Sequence, residues 1–262
     1  MKVLIPSKGR AENLHTIKHF PQEDVYVFVQ RNEYDEYRKH NPDLQIIVHD
    51  KPTGVSNARN AILEWAEEND VKKFFMLDDD IRSIGKYNPH KYKDFPGRKT
   101  STGGYDEVDD TVEFTNDISV LLDTHAAVSV PMSGFARLMS GLPEDRIKQN
   151  SASVFAVFAL NLDKTRGLRY DPNLKIGEDH DFTLQMLHRK ENVCVNYKYA
   201  YIGDHKVKGG CFEDWNNYKK DDLAALLVEK WGRDSFIIPQ SEKNYIRLNF
   251  KNILKNIYDS TN

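Results

Sequence analysis

Cysteine is nearly missing from this chain: there are two, Cys194 and Cys211, in 262 residues. They form no metal-ligand spacing and no disulfide framework, which argues against a small stapled secreted scaffold and for a reducing compartment. Long apolar runs are missing as well. Nothing approaches the roughly 18 apolar residues that cross a membrane, and Met1–Pro6 is too short for a signal peptide. A cytoplasmic protein with no membrane partner is the expectation. An excess of positive charge is also lacking: the formal net charge is −3. No global field draws a nucleic acid, so any such contact must use a local patch. Internal repeats and low-complexity tails are not found. What remains is 39% hydrophobic and 29% charged, ordinary for a globular protein long enough to bury a substantial core.

The most informative stretch is Phe74-Phe75-Met76-Leu77-Asp78-Asp79-Asp80. Four apolar residues followed by three acids read as a buried strand that emerges at a charged cleft, because a strand interior cannot hold an unpaired carboxylate. Alternation along a strand sends Asp78 and Asp80 one way and Asp79 the other. Three adjacent anions repel and take up protons unless a cation sits among them. A hard divalent metal with oxygen ligands suits that role, and such metals commonly hold phosphates. The triplet also suits a solvated turn or a helix N-cap.

Lys2–Ile5 forms a first buried strand, closed by Pro6 and followed by the basic loop Ser7-Lys8-Gly9-Arg10, where backbone N–H groups and cations can meet phosphate. Asp24–Gln30 and Leu44–Val48 read as strands, with a helix from Asn32 to about Lys39 between them. From Val55 the period turns helical: Ala58, Ala61, Ile62, Trp65 and Ala66 share a face, and Arg59 and Asn60 lie in the first turns. Strands alternating with helices predict an α/β fold with a mostly parallel central sheet flanked by helices. Ligands of such sheets bind at the carboxyl ends of the strands. The 6–10 loop and the 78–80 acids fall at the same edge.

Further along, Lys86, Lys91, Lys93, Arg98 and Lys99 alternate with Tyr87, Tyr92, Phe95 and Tyr105. Cations interleaved with aromatics suit a phosphate backbone and an unstacked base, and equally a surface loop whose rings pack on the body. A helix is expected over 116–122, a strand over 126–131, a small-residue loop over 132–141 and a buried strand over 153–162. Glu178-Asp179-His180-Asp181 opens a helix running to about Arg189. Acids there stabilise the helix dipole by a few tenths to ~1 kcal/mol, or one of them faces the cleft as a general base. His180 reads as a supporting or surface residue. A strand over 193–202 leads to His205, which can reach a metal, and 215–231 is a helix. The chain closes with an amphipathic helix over 241–258, with Ile246, Phe250, Ile253 and Ile257 on one face. Lys243, Arg247, Lys251 and Lys255 recur on another, a solvated row or a phosphate-binding stripe.

Taken in order, Pro6–Arg10, Gly54 through Arg59-Asn60, Leu77–Asp80, Gly177–Asp181 and His205 make the chain resemble glycosyltransferases of the A-type (GT-A, Rossmann-like) fold. Residues 1–210 would be the catalytic domain and 211–262 a helical extension packed on it. The resemblance implies a UDP-sugar donor and a divalent metal, Mn2+ or Mg2+, on Asp80, with Asp78 on metal or ribose and His205 as a further ligand. Which two of Asp78, Asp79 and Asp80 fill the two roles stays open. It also implies Asp179, beside Glu178, as the base, and Pro6, Ser7, Lys8, Arg10, Arg59, Asn60, Asp78 and Asp79 on the sugar nucleotide.

More narrowly, Val3–Arg10, Val55–Asn60 and Leu77–Asp80 are similar to the bacteriophage TET-associated glycosyltransferases. These decorate 5-hydroxymethyl-pyrimidines in DNA. That similarity implies 5-hydroxymethylcytosine or a related hypermodified pyrimidine, bare or already glycosylated, as acceptor. DNA contacts would come from Tyr87, Lys91, Tyr92, Lys93, Arg98 and the 243–255 cations. A polysaccharide or protein acceptor, and a non-catalytic nucleic-acid-binding protein, are the competing expectations.

Overall fold

In a computed structural model the described residues are 1–90, 105–108, 111–123, 131–137, 147–203, 209–211, 219–240 and 246–259. The strands are β1 Lys2–Pro6, β2 Val25–Gln30, β3 Gln45–His49, β4 Lys73–Leu77, β5 Ile81–Tyr87, β6 Tyr105–Glu107, β7 Met132–Arg137, β8 Ile147–Gln149, β9 Val157–Asn161, β10 Val193–Gly203, β11 Phe236–Ile237 and β12 Arg247–Leu248. The α-helices are α1 Tyr34–His40, α2 Val55–Glu68, α3 Thr111–Asp123, α4 Leu162–Thr165, α5 Glu178–His188, α6 Lys220–Trp231 and α7 Phe250–Asp259.

One large sheet runs β3-β2-β1-β4-β9-β7-β10-β5-β6, with β8 on β10. Its first four strands are parallel, as are β7 and β10, while β9, β5, β6 and β8 pair antiparallel. The central strands are apolar along both faces, as a strand covered on both sides must be. Alternation divides them between two cores. Val3, Ile5, Val27, Phe75, Leu77 and Ala159 enter one cluster, and Leu4, Phe28, Phe74, Met76, Phe158 and Leu160 the other. A third cluster joins α5 to the C-terminal elements through Leu184, Leu187, Leu223, Leu227, Phe236, Ile246, Ile253 and Ile257.

The register places the site. β1 and β4 are parallel neighbours with Leu4 opposite Met76, so the loop after Pro6 and the acids after Leu77 emerge side by side. β9 runs against β4 with Val157 opposite Leu77, which brings residues 154–156 to the same edge. There the Asp78 N–H donates to the Ala156 carbonyl at 2.8 Å.

Three expectations are corrected. Residues 132–137 form not a loop but β7, inside the sheet between β9 and β10. Packing accounts for the glycine in it: a Cβ on Gly134 would lie 2.2 Å from Val154 Cγ1. The expected strand over 126–130 lies outside the described residues. The first α-helix starts at Tyr34, after a 3₁₀ turn at Arg31–Glu33. At the C-terminus the helix is only Phe250–Asp259, and Arg247 instead sits on β12 opposite Ile237. Arg247 therefore cannot share a helical row with the exposed Lys251 and Lys255, and Lys243 lies outside the described residues. Among the described residues no helix is long and apolar enough to cross a membrane.

Candidate active site at the carboxyl edge of the sheet

The loop after β1 is built to face the acids. Ser7 is buried, and its hydroxyl donates to Asp79 Oδ2 at 2.5 Å. That proton being committed, the Tyr37 hydroxyl 2.7 Å away donates to Ser7 Oγ and itself accepts the Arg10 backbone N–H at 3.0 Å. Gly9 takes a left-handed φ of +65° and donates its N–H to Glu33 Oε1 at 2.7 Å. Gly209, φ +100°, lies flat on this loop, where a Cβ would come within 2.7 Å of the Lys8 carbonyl. The Gly210 N–H donates to that same carbonyl at 2.9 Å.

Two buried arginines divide the carboxylates between them. The Arg10 guanidinium, 7% exposed, bonds Asp79 and reaches Asp80 Oδ2 at 3.2 Å. Arg59, on the second turn of α2 and 3% exposed, donates from Nη1 to Glu178 Oε1 at 3.0 Å and Asp179 Oδ1 at 2.5 Å. Its Nη2 donates to Asp78 Oδ1 at 3.1 Å. Beneath it lie the rings of Tyr170 and Phe158, with centroids 5.4 and 5.8 Å from the guanidinium carbon. Arg59 thus ties the end of β4 to the start of α5.

The cations that make the acid triplet tolerable inside the protein are therefore arginines. The expected alternation does not hold either. The strand ends at Leu77 and the chain turns, so Asp79 and Asp80 share Arg10 while Asp78 faces Arg59. At 32% exposed, the Asp78 side chain is the one that opens most to solvent; Asp179 follows at 17%.

Burial dominates the protonation of these groups. It pushes Asp79 up to about 6, against the pull of Arg10 and Ser7. Glu178 rises to about 8, first through burial and then through the like charge of Asp179. Asp179 also rises, mainly by burial and with Asp78 adding to it, while Arg59 pulls it back. Burial works against the charge of Arg59, but Asp179, Asp78 and Glu178 together hold it well above its ordinary value. Asp79 and Asp80 do the same for Arg10.

The other residues singled out in the sequence fall in different places. Both ends of the Asn60 amide are engaged by the Tyr170 backbone, at 2.8 Å each. Asn60 anchors the Tyr170 turn rather than facing the cleft. Asp79 likewise is spent on Ser7 and Arg10. His180 is buried, with Nδ1 at 2.9 Å from Ser153 Oγ and Nε2 at 3.1 Å from the Ile246 carbonyl; burial pushes its pKa down to about 4, which keeps it neutral. Tyr87 is half-buried at the end of β5, its ring 6.0 Å from that of Tyr105 on the opposite flank of the sheet. Lys91, Tyr92, Lys93, Arg98 and His205 lie outside the described residues. Tyr37 and Ser153 gave no signal in the sequence, since a tyrosine in a polar helix and a serine before a strand are commonplace.

A parallel-centred sheet with a basic loop, strand-end acids and an acid-headed helix meeting at one edge is the arrangement that the resemblance to A-type glycosyltransferases implied. The TET-Associated Glycosyltransferase family model matches residues 1–210, and the chain belongs to that family. No curated protein matches the sequence. Among solved structures, a mycobacterial protein superimposes with a TM-score of 0.54 at 8% identity, covering 94% of this chain and 82% of its own. TarS 1-349 from S. aureus, in complex with UDP, gives 0.49 at 14% identity over 98% of this chain and 71% of TarS. GalNAc-T7 with UDP, GalNAc and Mn2+ gives 0.45 at 12%, over 99% of this chain and 57% of that protein. At 8% identity the mycobacterial protein speaks to the fold alone.

Proposed function

We propose that this glycosyltransferase moves a sugar from a UDP-sugar to the hydroxymethyl oxygen of 5-hydroxymethylcytosine, or a related modified pyrimidine, in phage DNA within the host cytoplasm. Family membership supports the acceptor class. The observation that carries the site is Arg59, which joins Asp78 on the donor side to Glu178 and Asp179 on the acceptor side.

Five carboxylates share two guanidiniums here, so this edge of the sheet carries an excess of acid that a divalent cation can offset. That donor set fits Mn2+ or Mg2+, with Asp78 and Asp80 as hard oxygen ligands. Among the described residues no group of three His, Cys, Asp or Glu is arranged to hold a metal alone, so substrate phosphate and water would supply the remaining ligands. When bound, the cation supplies Lewis-acid neutralisation of the departing diphosphate.

The residues of the chain divide the remaining work. The Lys8 side chain serves the nucleotide phosphates, and Arg10, fixed by Asp79 and Asp80, sets the loop's position. Asp179, made more basic by burial, accepts the proton of the acceptor hydroxyl as its oxygen attacks the anomeric carbon and the bond to UDP breaks. Arg59 orients that carboxylate. Glu178, holding its own proton near neutral pH, leaves Asp179 as the acceptor of the second.

The test is mass spectrometry of nucleosides from hydroxymethylated DNA after incubation with the enzyme, Mn2+ and a panel of UDP-sugars. One sugar added to the modified pyrimidine is expected, and Asp179→Asn should lower its rate ~100-fold or more. Sugar transfer to water or polysaccharide, with UDP released and no mass gained by DNA, would overturn the acceptor.

A further inference from the structure

Single exposed apolar side chains are ordinary on a protein surface; what sets Phe155 apart is its place beside the Asp78 backbone and His180. Phe155 is 42% exposed, while Val154 and Ala156 on either side are 2% and 5% exposed. The segment is not loose. Val154 fills the space over Gly134. Ala156 adopts a left-handed φ of +45°, unfavourable for a residue with a Cβ. The Val157 N–H closes back on the Phe155 carbonyl, which makes a tight three-residue turn around Ala156. That turn aims the Ala156 carbonyl at the Asp78 N–H, 2.8 Å away. On the other side, Ser153 Oγ bonds the His180 ring at 2.9 Å, and His180 follows Asp179 directly in sequence. The Phe155 ring stands edge-on to that imidazole, with centroids 5.7 Å apart and planes at 78°. A strained, doubly anchored turn thus holds an open phenyl between the backbone of Asp78 and the residue beside Asp179.

From this placement we infer that Phe155 is the platform on which the acceptor's pyrimidine ring stacks, a specificity-determining contact on the acceptor side of the cleft. The inference rests on the DNA-base acceptor proposed above and adds the residue that receives it. A phenyl face has no hydrogen-bonding groups, so it accepts any planar base and does not read its edge; stacking of this kind is tolerant of sequence. The backbone that carries the ring is already held by the turn, so little main-chain freedom is lost on binding. A base reaching Phe155 must be out of its stack, which favours single-stranded or readily extruded pyrimidines over paired ones.

Kinetics on a single-stranded hydroxymethylated oligonucleotide test the assignment. Phe155→Ala should raise the acceptor KM by roughly 5- to 150-fold, the range one stacked base provides, with the KM for the UDP-sugar unchanged. Phe155→Trp and Phe155→Tyr should restore most of the loss, because each returns a π face. In Phe155→Trp, the indole fluorescence should be quenched by the oligonucleotide and not by UDP alone. A wild-type enzyme that glycosylates the oligonucleotide, together with a Phe155→Ala variant of unchanged acceptor KM, overturns the platform and leaves the acceptor standing. A wild-type enzyme that ignores the oligonucleotide and glycosylates another acceptor overturns both.

Discussion

Arg59 is the side chain on which most of the site converges, and its removal has a calculable consequence. Arg59→Ala leaves Asp78, Glu178 and Asp179 crowded without their shared cation. Removing one partner of a buried ion pair costs about 3–5 kcal/mol, which should appear as a lower urea midpoint alongside lost transfer. Arg59→Lys should recover part of the stability and little of the activity, since an ammonium cannot fork to both sides. Glu178 predicts a pH signature. Its pKa of about 8 in the fold, against an ordinary 4.5, means that the native chain keeps a proton that the unfolded chain releases between those values. Stability therefore falls as pH rises through that window. His180, pushed from 6.5 to about 4, acts oppositely, because the unfolded chain holds the extra proton there and stability rises with pH. Between pH 6.5 and 8 only the Glu178 effect remains of these two. Urea unfolding should show stability declining over that interval in wild type and staying flatter in Glu178→Gln; identical slopes would contradict the assignment.

The helix α5 brings Glu178 and Asp179 to the cleft, and its own attachment lies on its far side. Asp181 is fully buried, accepting from Trp231 Nε1 at 2.8 Å, Lys230 Nζ at 2.7 Å and Gln185 Nε2 at 2.7 Å. Asp181→Asn should cost roughly 1–3 kcal/mol by leaving buried donors poorly matched, read as a lower Tm, with UDP affinity little changed. At this scale much could be read from the sequence. β1, β2, β4 and α2 announce themselves because strand and helix periods are strong there, and the neighbouring carboxyl ends of β1 and β4 follow from that order. Composition misled at β7, where Gly134 is small because Val154 crowds the sheet there, and at the C-terminus, where apolar spacing continued past a strand at Arg247–Leu248. The pairing of acids with Arg10 and Arg59 was not legible, because it joins residues up to 120 positions apart. Periodicity sees only near neighbours, and the resemblance that implied Asp79 and Asn60 on the sugar nucleotide gave no sign that each has an internal partner.

Over the whole molecule, the family match ends at residue 210, yet the third apolar cluster does not. Leu174, Ile176, Leu184 and Leu187 are covered by residues from α6, β11, β12 and α7. We propose that residues 211–262 belong to the same cooperative unit as the catalytic part. A chain cut after 210 should aggregate or lose its sharp unfolding transition, since the uncovered face belongs to the helix that carries Asp179; a cut chain unfolding cooperatively at the wild-type Tm would show two units. We propose that the carboxyl edge of the sheet, at Asp78 and Asp80, is where nucleotide and metal meet. Calorimetric titration of UDP in the presence and absence of Mn2+, on wild type and Asp80→Asn, tests it most directly. The account predicts UDP binding that strengthens at least tenfold with Mn2+ in wild type and loses that gain in Asp80→Asn. Equal UDP affinity with and without Mn2+, or an unchanged manganese effect in the variant, would contradict it.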